Sequence, residues 1–203
     1  MSPTSPSLLI ITNTQPDGLW DRNVTSIGAY ALAHTNLTEI NMGLELLWRN
    51  NVNPARVVMG LGFYGRSYTM ADPGCMTAGC PFADPARPGR CTGQEGILAG
   101  YEINDIIKNG GKVSFDKEAA VKIVTWNNDQ WVSWDDAESL KLKLDFANKR
   151  CLGGTMVWAV DLDDGTLIGS LGEAMGKEKQ DVPDEIPPYP SQGDLGTHVD
   201  PAT

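Results

Sequence analysis

A chain of 203 residues with 41% hydrophobic content is long enough to bury one core of ordinary domain size. Its 26 acidic residues against 16 basic ones leave a formal charge of −10, a surface that repels phosphate backbones and argues against nucleic acid as a partner. No stretch approaches the roughly 20 apolar residues of a membrane span. The two histidines (His34 and His198) are far apart and no His/Cys spacing suits zinc, so neither a metal nor a cofactor is expected.

In chain order, the opening "MSPTSPSLLIIT" lacks a basic n-region, and its apolar run from Leu8 to Ile11 is too short for a signal peptide; no export signal is expected there. Leu8 to Thr12 reads instead as a strand. Asn23-Val-Thr and Asn36-Leu-Thr are N-glycosylation sequons. A helix is predicted from Leu37 to Asn50: Asn36 and Glu39 have capping-box spacing, and Leu37, Ile40, Leu44 and Leu47 share one face. Asn51 to Pro54 stops it, and "RVVMGLG", Arg56 to Gly62, is the next strand.

A long excursion follows. Cys75, Cys80 and Cys91 fall in a stretch rich in Gly, Pro and Asp, which reads as a disulfide-stapled loop rather than packed core; the pairing is left open. Tyr101 to Asn109 is a short helix closed by Gly110-Gly111. Val121–Trp126 and Gln130–Trp134 form a hairpin around Asn127-Asn128-Asp129, with Trp126 and Trp134 expected to pack. A helix over 136–149 begins at an Asp135/Glu138 capping pattern. It keeps its period through Ala137, Leu140, Leu144 and Ala147 and ends at Gly153, with Cys151 just before its end. "GGTMVWAVDLDD", 153–164, is then a buried parallel strand ending in Asp161, Asp163 and Asp164. Those carboxylates sit where α/β folds place their chemistry, and where Asp side chains also cap the following helix; they read as mainly structural. From Lys177 to Thr203 the chain turns acidic and Pro-rich, the composition of a disordered tail or linker.

Strand–helix–strand and later helix–strand is the grammar of a βαβ fold, here with a small α+β module set between two strands.

Five ordered motifs give this plan a family. "GLWD" (18–21), "VVMGLGFYGRSYTM" (57–70), "GYEI" (100–103), "WVSWDD" (131–136) and "LGGTMVWAVDLDD" (152–164) together resemble the C-terminal part of glycoside hydrolase family 18, nearest to the fungal class V chitinases. The resemblance implies an α/β fold, the C-terminal part of a (β/α)8 TIM barrel, with an α+β insertion between the last two strands. On that reading residues 1–17 are unrelated to the family or mis-assigned, 18–176 are partial barrel with the insertion at about 63–135, and 177–203 are tail. The partner it implies is chitin or chito-oligosaccharide, and the setting is extracellular. Carried over residue by residue, Trp158 is the apolar floor under the sugar. Tyr64 and Arg66 point into the cleft, Glu102 reaches sugar hydroxyls, and Trp20 lies on the leaving-group side.

Two departures matter. The family's catalytic glutamate closes a D-x-x-D-x-D-x-E run, and no such run occurs in these 203 residues. The places of a Tyr-Asp pair ahead of "G-x-W-D" hold Thr14 and Gln15. A barrel of this kind takes about 250 residues. The expectation is therefore a chitinase-family chain with part of the cleft, no catalytic acid of its own and no hydrolysis alone; a non-catalytic chitin-binding lectin is the alternative.

Overall fold

The computed structural model of the chain describes residues 9–11 and 28–177. In chain order the elements are β1 (Leu9–Ile11), α1 (Leu37–Arg49), β2 (Val57–Gly62), β3 (Tyr64–Met70), β4 (Phe82–Pro85), β5 (Ile97–Ala99), α2 (Gly100–Lys108), β6 (Lys112–Asp116), β7 (Val121–Trp126), β8 (Gln130–Trp134), α3 (Ala137–Lys149), β9 (Gly154–Trp158) and α4 (Thr166–Ala174). Among the described residues no helix is long and apolar enough to cross a membrane.

β1, β2 and β9 form a parallel sheet with β2 in the centre. All six residues of β2 are buried, as its unbroken apolar sequence requires. The two-residue period puts Val57, Met59 and Leu61 on one face, where they meet Ile40 and Leu44 of α1 and Leu140 and Leu144 of α3. Each such side chain contributes about 1.5–3 kcal/mol by leaving water. Gly153 permits the turn into β9, because a Cβ there would overlap the Ala55 carbonyl. β9 departs from the buried strand expected over Thr155–Val160. It stops at Trp158, a 3-10 turn takes Val160–Leu162, and its residues are half-buried with Trp158 67% exposed. The reason is its place in the sheet: only β2 pairs with it among the described residues.

Between β2 and α3 the chain builds a second, antiparallel sheet in the order β4-β3-β8-β7-β6, with β5 also on β3. Its two faces have separate cores. Tyr68, Phe82 and Trp131 stack on one, with ring centroids 4.5 Å (Tyr68–Phe82) and 5.8 Å (Tyr68–Trp131) apart. Leu98, Ile103, Val124, Val132 and Trp134 pack beneath α2 on the other. Trp134 is buried as expected, whereas Trp126 is only half-buried at the edge of this second cluster.

The helix caps differ from the sequence expectation in an instructive way. Asn36 does cap α1, by accepting the Thr38 N–H at 2.9 Å. α3 is capped one residue later than expected. Asp136 accepts the Ser139 N–H at 3.0 Å, and Ser139 Oγ accepts the Asp136 N–H at 2.9 Å. Asp135 is thereby free to turn inward, where it pairs with Lys143 of α3; both are essentially excluded from solvent. The Lys143 ammonium also donates to Thr35 Oγ1 at 3.1 Å and to the Ala120 carbonyl at 2.9 Å. One cation thus ties α3 to the segment before α1 and to the turn before β7. Burial pushes its pKa down, and Asp135 opposes that.

Removing one partner of a buried pair leaves the other charge uncompensated. Lys143→Met is expected to cost about 3–5 kcal/mol in a urea titration, and adding Asp135→Asn to recover part of that loss. Strictly additive losses would show that the pair is not coupled.

Candidate functional site

The C-terminal ends of β2 and β9 lie side by side, with Gly62 opposite Trp158 in register. Phe63 N–H donates to the Trp158 carbonyl at 2.9 Å, which holds the two ends together as β2 passes into β3. In β3 the alternation turns Tyr64 and Arg66 to the same face and sends Gly65 against Val132 and Ile103 behind. Arg66 Cζ lies 5.7 Å from the Tyr64 ring centroid, and the His34 ring stacks on Tyr64 with centroids 4.7 Å apart. Both His34 ring nitrogens are buried without a hydrogen-bond partner among the described residues. Burial above all, then the charges of Arg66 and Lys143, lower its pKa to about 3, so the ring is neutral in neutral solution.

Tyr64 and Arg66 border an open cavity of about 560 Å³. Trp158 supplies a flat apolar wall; Tyr64, Arg66, Tyr101 and Asp161 supply polar groups; and the 91–94 loop forms the rim. Desolvation first, then the neighbouring Glu102, Cys91 and Asp161, raise the Tyr101 pKa, so it remains a phenol and can donate. The site therefore offers one rigid aromatic surface ringed by donors and acceptors. The two carboxylates with displaced pKa values, Glu102 and Asp164, are both displaced downward, and neither is held protonated as a general acid would be. No group of three or more His, Cys, Asp or Glu among the described residues could hold a metal ion.

Three of the expected contact residues, Trp158, Tyr64 and Arg66, thus share one cavity. Trp20 and the sequon Asn23 lie outside the described residues, as do Thr14 and Gln15. Glu102 is corrected. It is buried, and its carboxylate is fully engaged: Oε1 accepts the N–H groups of Cys91 (2.7 Å) and Thr92 (3.0 Å), and Oε2 those of Ala99 (2.9 Å) and the Thr92 hydroxyl (3.0 Å). It pins the cleft-rim loop to the first turn of α2 and has no lone pair left for a sugar. Its neighbour Tyr101 faces the cavity instead, which the 100° step between adjacent helical residues would have indicated. Asp161 was also missed. Asp163 and Asp164 are structural as expected: Asp163 accepts the N–H groups of Leu167 and Ile168, and Asp164 that of Thr166, at the start of α4. Of the cysteines, Cys75 and Cys80 are joined, their Cα atoms 5.6 Å apart. With Cys75 and Cys80 paired to each other, Cys91, the third candidate, stays a thiol, and Cys151 is a thiol as well. The sequon residue Asn36 is the α1 cap.

The clamp gives a pH signature. Desolvation raises the Glu102 pKa, but the hydrogen bonds from Thr92, Ala99 and Cys91 outweigh it, and the folded value lies below the ordinary 4.5. Its stabilisation is complete above that ordinary value and is lost as pH falls through the lower folded value. Hydrogen exchange at the Cys91 and Thr92 amides should accelerate, relative to the core, on such acidification. Glu102→Gln, which turns NH2 donors toward N–H and O–H donors, should cost about 1–3 kcal/mol and abolish that pH response. Unchanged protection in the variant would remove the clamp.

The family model for glycosyl hydrolases family 18 matches residues 20–163. A probable LysM chitinase of Penicillium expansum is 29% identical over 170 residues, covering 80% of this chain and 12% of that protein. A family 18 chitinase from Cycas revoluta, solved with (GlcNAc)4, superposes with a TM-score of 0.64 at 24% identity, over 73% of this chain and 43% of that one. Human YKL-39, described as a pseudo-chitinase that retains chitooligosaccharide binding, superposes at 0.63 with 30% identity, over 71% and 41%. The chain spans less than a third of the curated relatives it matches. With the family model matched over well more than half its length, the chain belongs to glycosyl hydrolases family 18.

Proposed function

We propose that the chain carries one wall of a chitin-binding cleft and binds β-1,4-linked N-acetylglucosamine chains without hydrolysing them alone. The exposure of Trp158 carries the proposal. A tryptophan 67% open at a strand end, ringed by Tyr64, Arg66, Tyr101 and Asp161, suits a pyranose, whose ring faces present C–H groups and whose rim presents hydroxyls. In this reading the parallel sheet is the last part of a (β/α)8 barrel and the antiparallel sheet is the insertion ahead of its final strand. Residues 18–176 are barrel and insertion, 1–17 lie outside the family pattern, and 177–203 are a tail. The Penicillium relative, which covers 80% of this chain, supports a place among the fungal class V chitinases, and such a chain would act outside the cell.

Absence of activity follows from the missing acid. These 203 residues contain no D-x-x-D-x-D-x-E run, and Glu102 and Asp164, which flank the cavity, both have pKa values displaced downward. The lectin alternative has its own support, since human YKL-39 is a pseudo-chitinase with retained chitooligosaccharide binding.

In titration calorimetry with chitotriose, Trp158→Ala should weaken binding by about 1–3 kcal/mol, which is about 5- to 150-fold, the range of a truncated aromatic anchor. Equal affinity in a folded variant would return Trp158 to a purely structural role. The purified chain should release no reducing ends from chito-oligosaccharides; turnover that follows the protein through repeated purification would contradict this.

A further inference from the structure

Beside the cleft lies a second cavity of about 740 Å³, on the far side of the 87–91 loop. The two are neighbours, with Cys91 and Tyr101 bordering both. The second runs along the exposed face of α2 to the end of β7, where Trp126 and Asn127 close it. A third cavity of about 480 Å³ begins on the other side of the same two residues, against Met76 and Lys112. Trp126 therefore stands between two open spaces. It packs against the Val124 and Val132 cluster beneath α2 and is only partly buried.

We propose that Trp126 is a second stacking platform, which takes the continuation of an amino-sugar chain leaving the Trp158 cleft past Tyr101; this rests on the cleft reading given above. Three observations favour a neutral sugar polymer as the occupant. The cavity adjoins the cleft at Cys91 and Tyr101, so a chain seated on Trp158 has only those two residues to pass to reach it. Its aromatic is rigid and half-open, which suits stacking against pyranose C–H groups at little entropic cost. Its rim mixes signs, with Arg87 and Arg90 opposite Asp105 and with the amides of Asn109 and Asn127, whereas a polyanion site would exclude the carboxylate. Arg87 is held by Asp129 at 3.7 Å, which leaves Arg90 as the more available donor to a hydroxyl or acetamido oxygen.

Oligomer length separates the two sites. Trp126→Ala should leave chitotriose affinity within about twofold and lower chitooctaose affinity by about fivefold or more, the effect of losing at least 1 kcal/mol of contact. Trp158→Ala should weaken both. Because Trp126 also packs on the core, Arg90→Ala serves as a second variant that touches no core residue, and it should repeat the octaose-selective loss in smaller measure. In a 15N correlation spectrum of the parent chain, the Trp126 indole N–H should shift with chitooctaose and not with chitotriose. Trp158-dependent chitotriose binding with no length-selective effect of Trp126 or Arg90 would overturn the second platform and leave the cleft intact. Failure of chitotriose to bind the parent chain would overturn the cleft reading itself, and the continuation with it. Preference of the Trp126 cavity for a sulfated oligosaccharide over chitooctaose would overturn the neutral occupant.

Discussion

The buried ammonium of Lys143 is the point on which the described fold turns. Taking an ammonium out of water costs several kcal/mol unless its donors are met. Here they are met by Asp135, Thr35 and the Ala120 carbonyl, from three separate stretches of chain. Satisfying that one group therefore fixes how the parallel sheet and its helices sit against the antiparallel module. Apolar burial could hold the same parts together with more freedom in their angle; a cation with three required partners permits one arrangement.

The cleft depends on that arrangement because its walls come from both sides of the joint. Trp158 ends β9 in the parallel sheet, Tyr64 and Arg66 begin the antiparallel one, and Tyr101 comes from α2. His34 stacks under Tyr64 beside the residue that binds Lys143, so the hub and the cleft share a wall. Glu102 completes the assembly by fastening the 91–92 loop to α2 through three hydrogen bonds, with a fourth from Ala99 at the start of α2. Its carboxylate shapes the rim, and its position there explains why a burial-tolerant acid stands next to a ligand-facing tyrosine.

Much of this was legible in the sequence, and the limits have physical causes. The apolar run of β2 and the helical periods of α1 and α3 located those elements within a residue or two, since burial patterns there follow the local period. The hairpin of β7 and β8 matched residue for residue because asparagines marked its turn. The flanking strands β3 to β6 and α4 were not individually legible; their burial is decided by partners distant in sequence. The one-residue error at the α3 cap has the same origin. Nothing local distinguishes Asp135 from Asp136 as a cap, and the choice is made by Lys143, which needs the first of them. In the cleft, Trp158, Tyr64 and Arg66 were legible only through the family motifs. Glu102 was read as a sugar contact and Tyr101 was given no role, because a motif carries residue identity without side-chain direction.

The central claim is that Trp158 is a surface for sugar and not an incidental exposure at a strand end. The most direct measurement is the nuclear Overhauser contact between the Trp158 indole protons and bound chitotriose, in a sample with that residue selectively labelled. The account predicts contacts from the indole ring to the ring C–H protons of one N-acetylglucosamine unit. Saturating binding with no contact to Trp158 would contradict it.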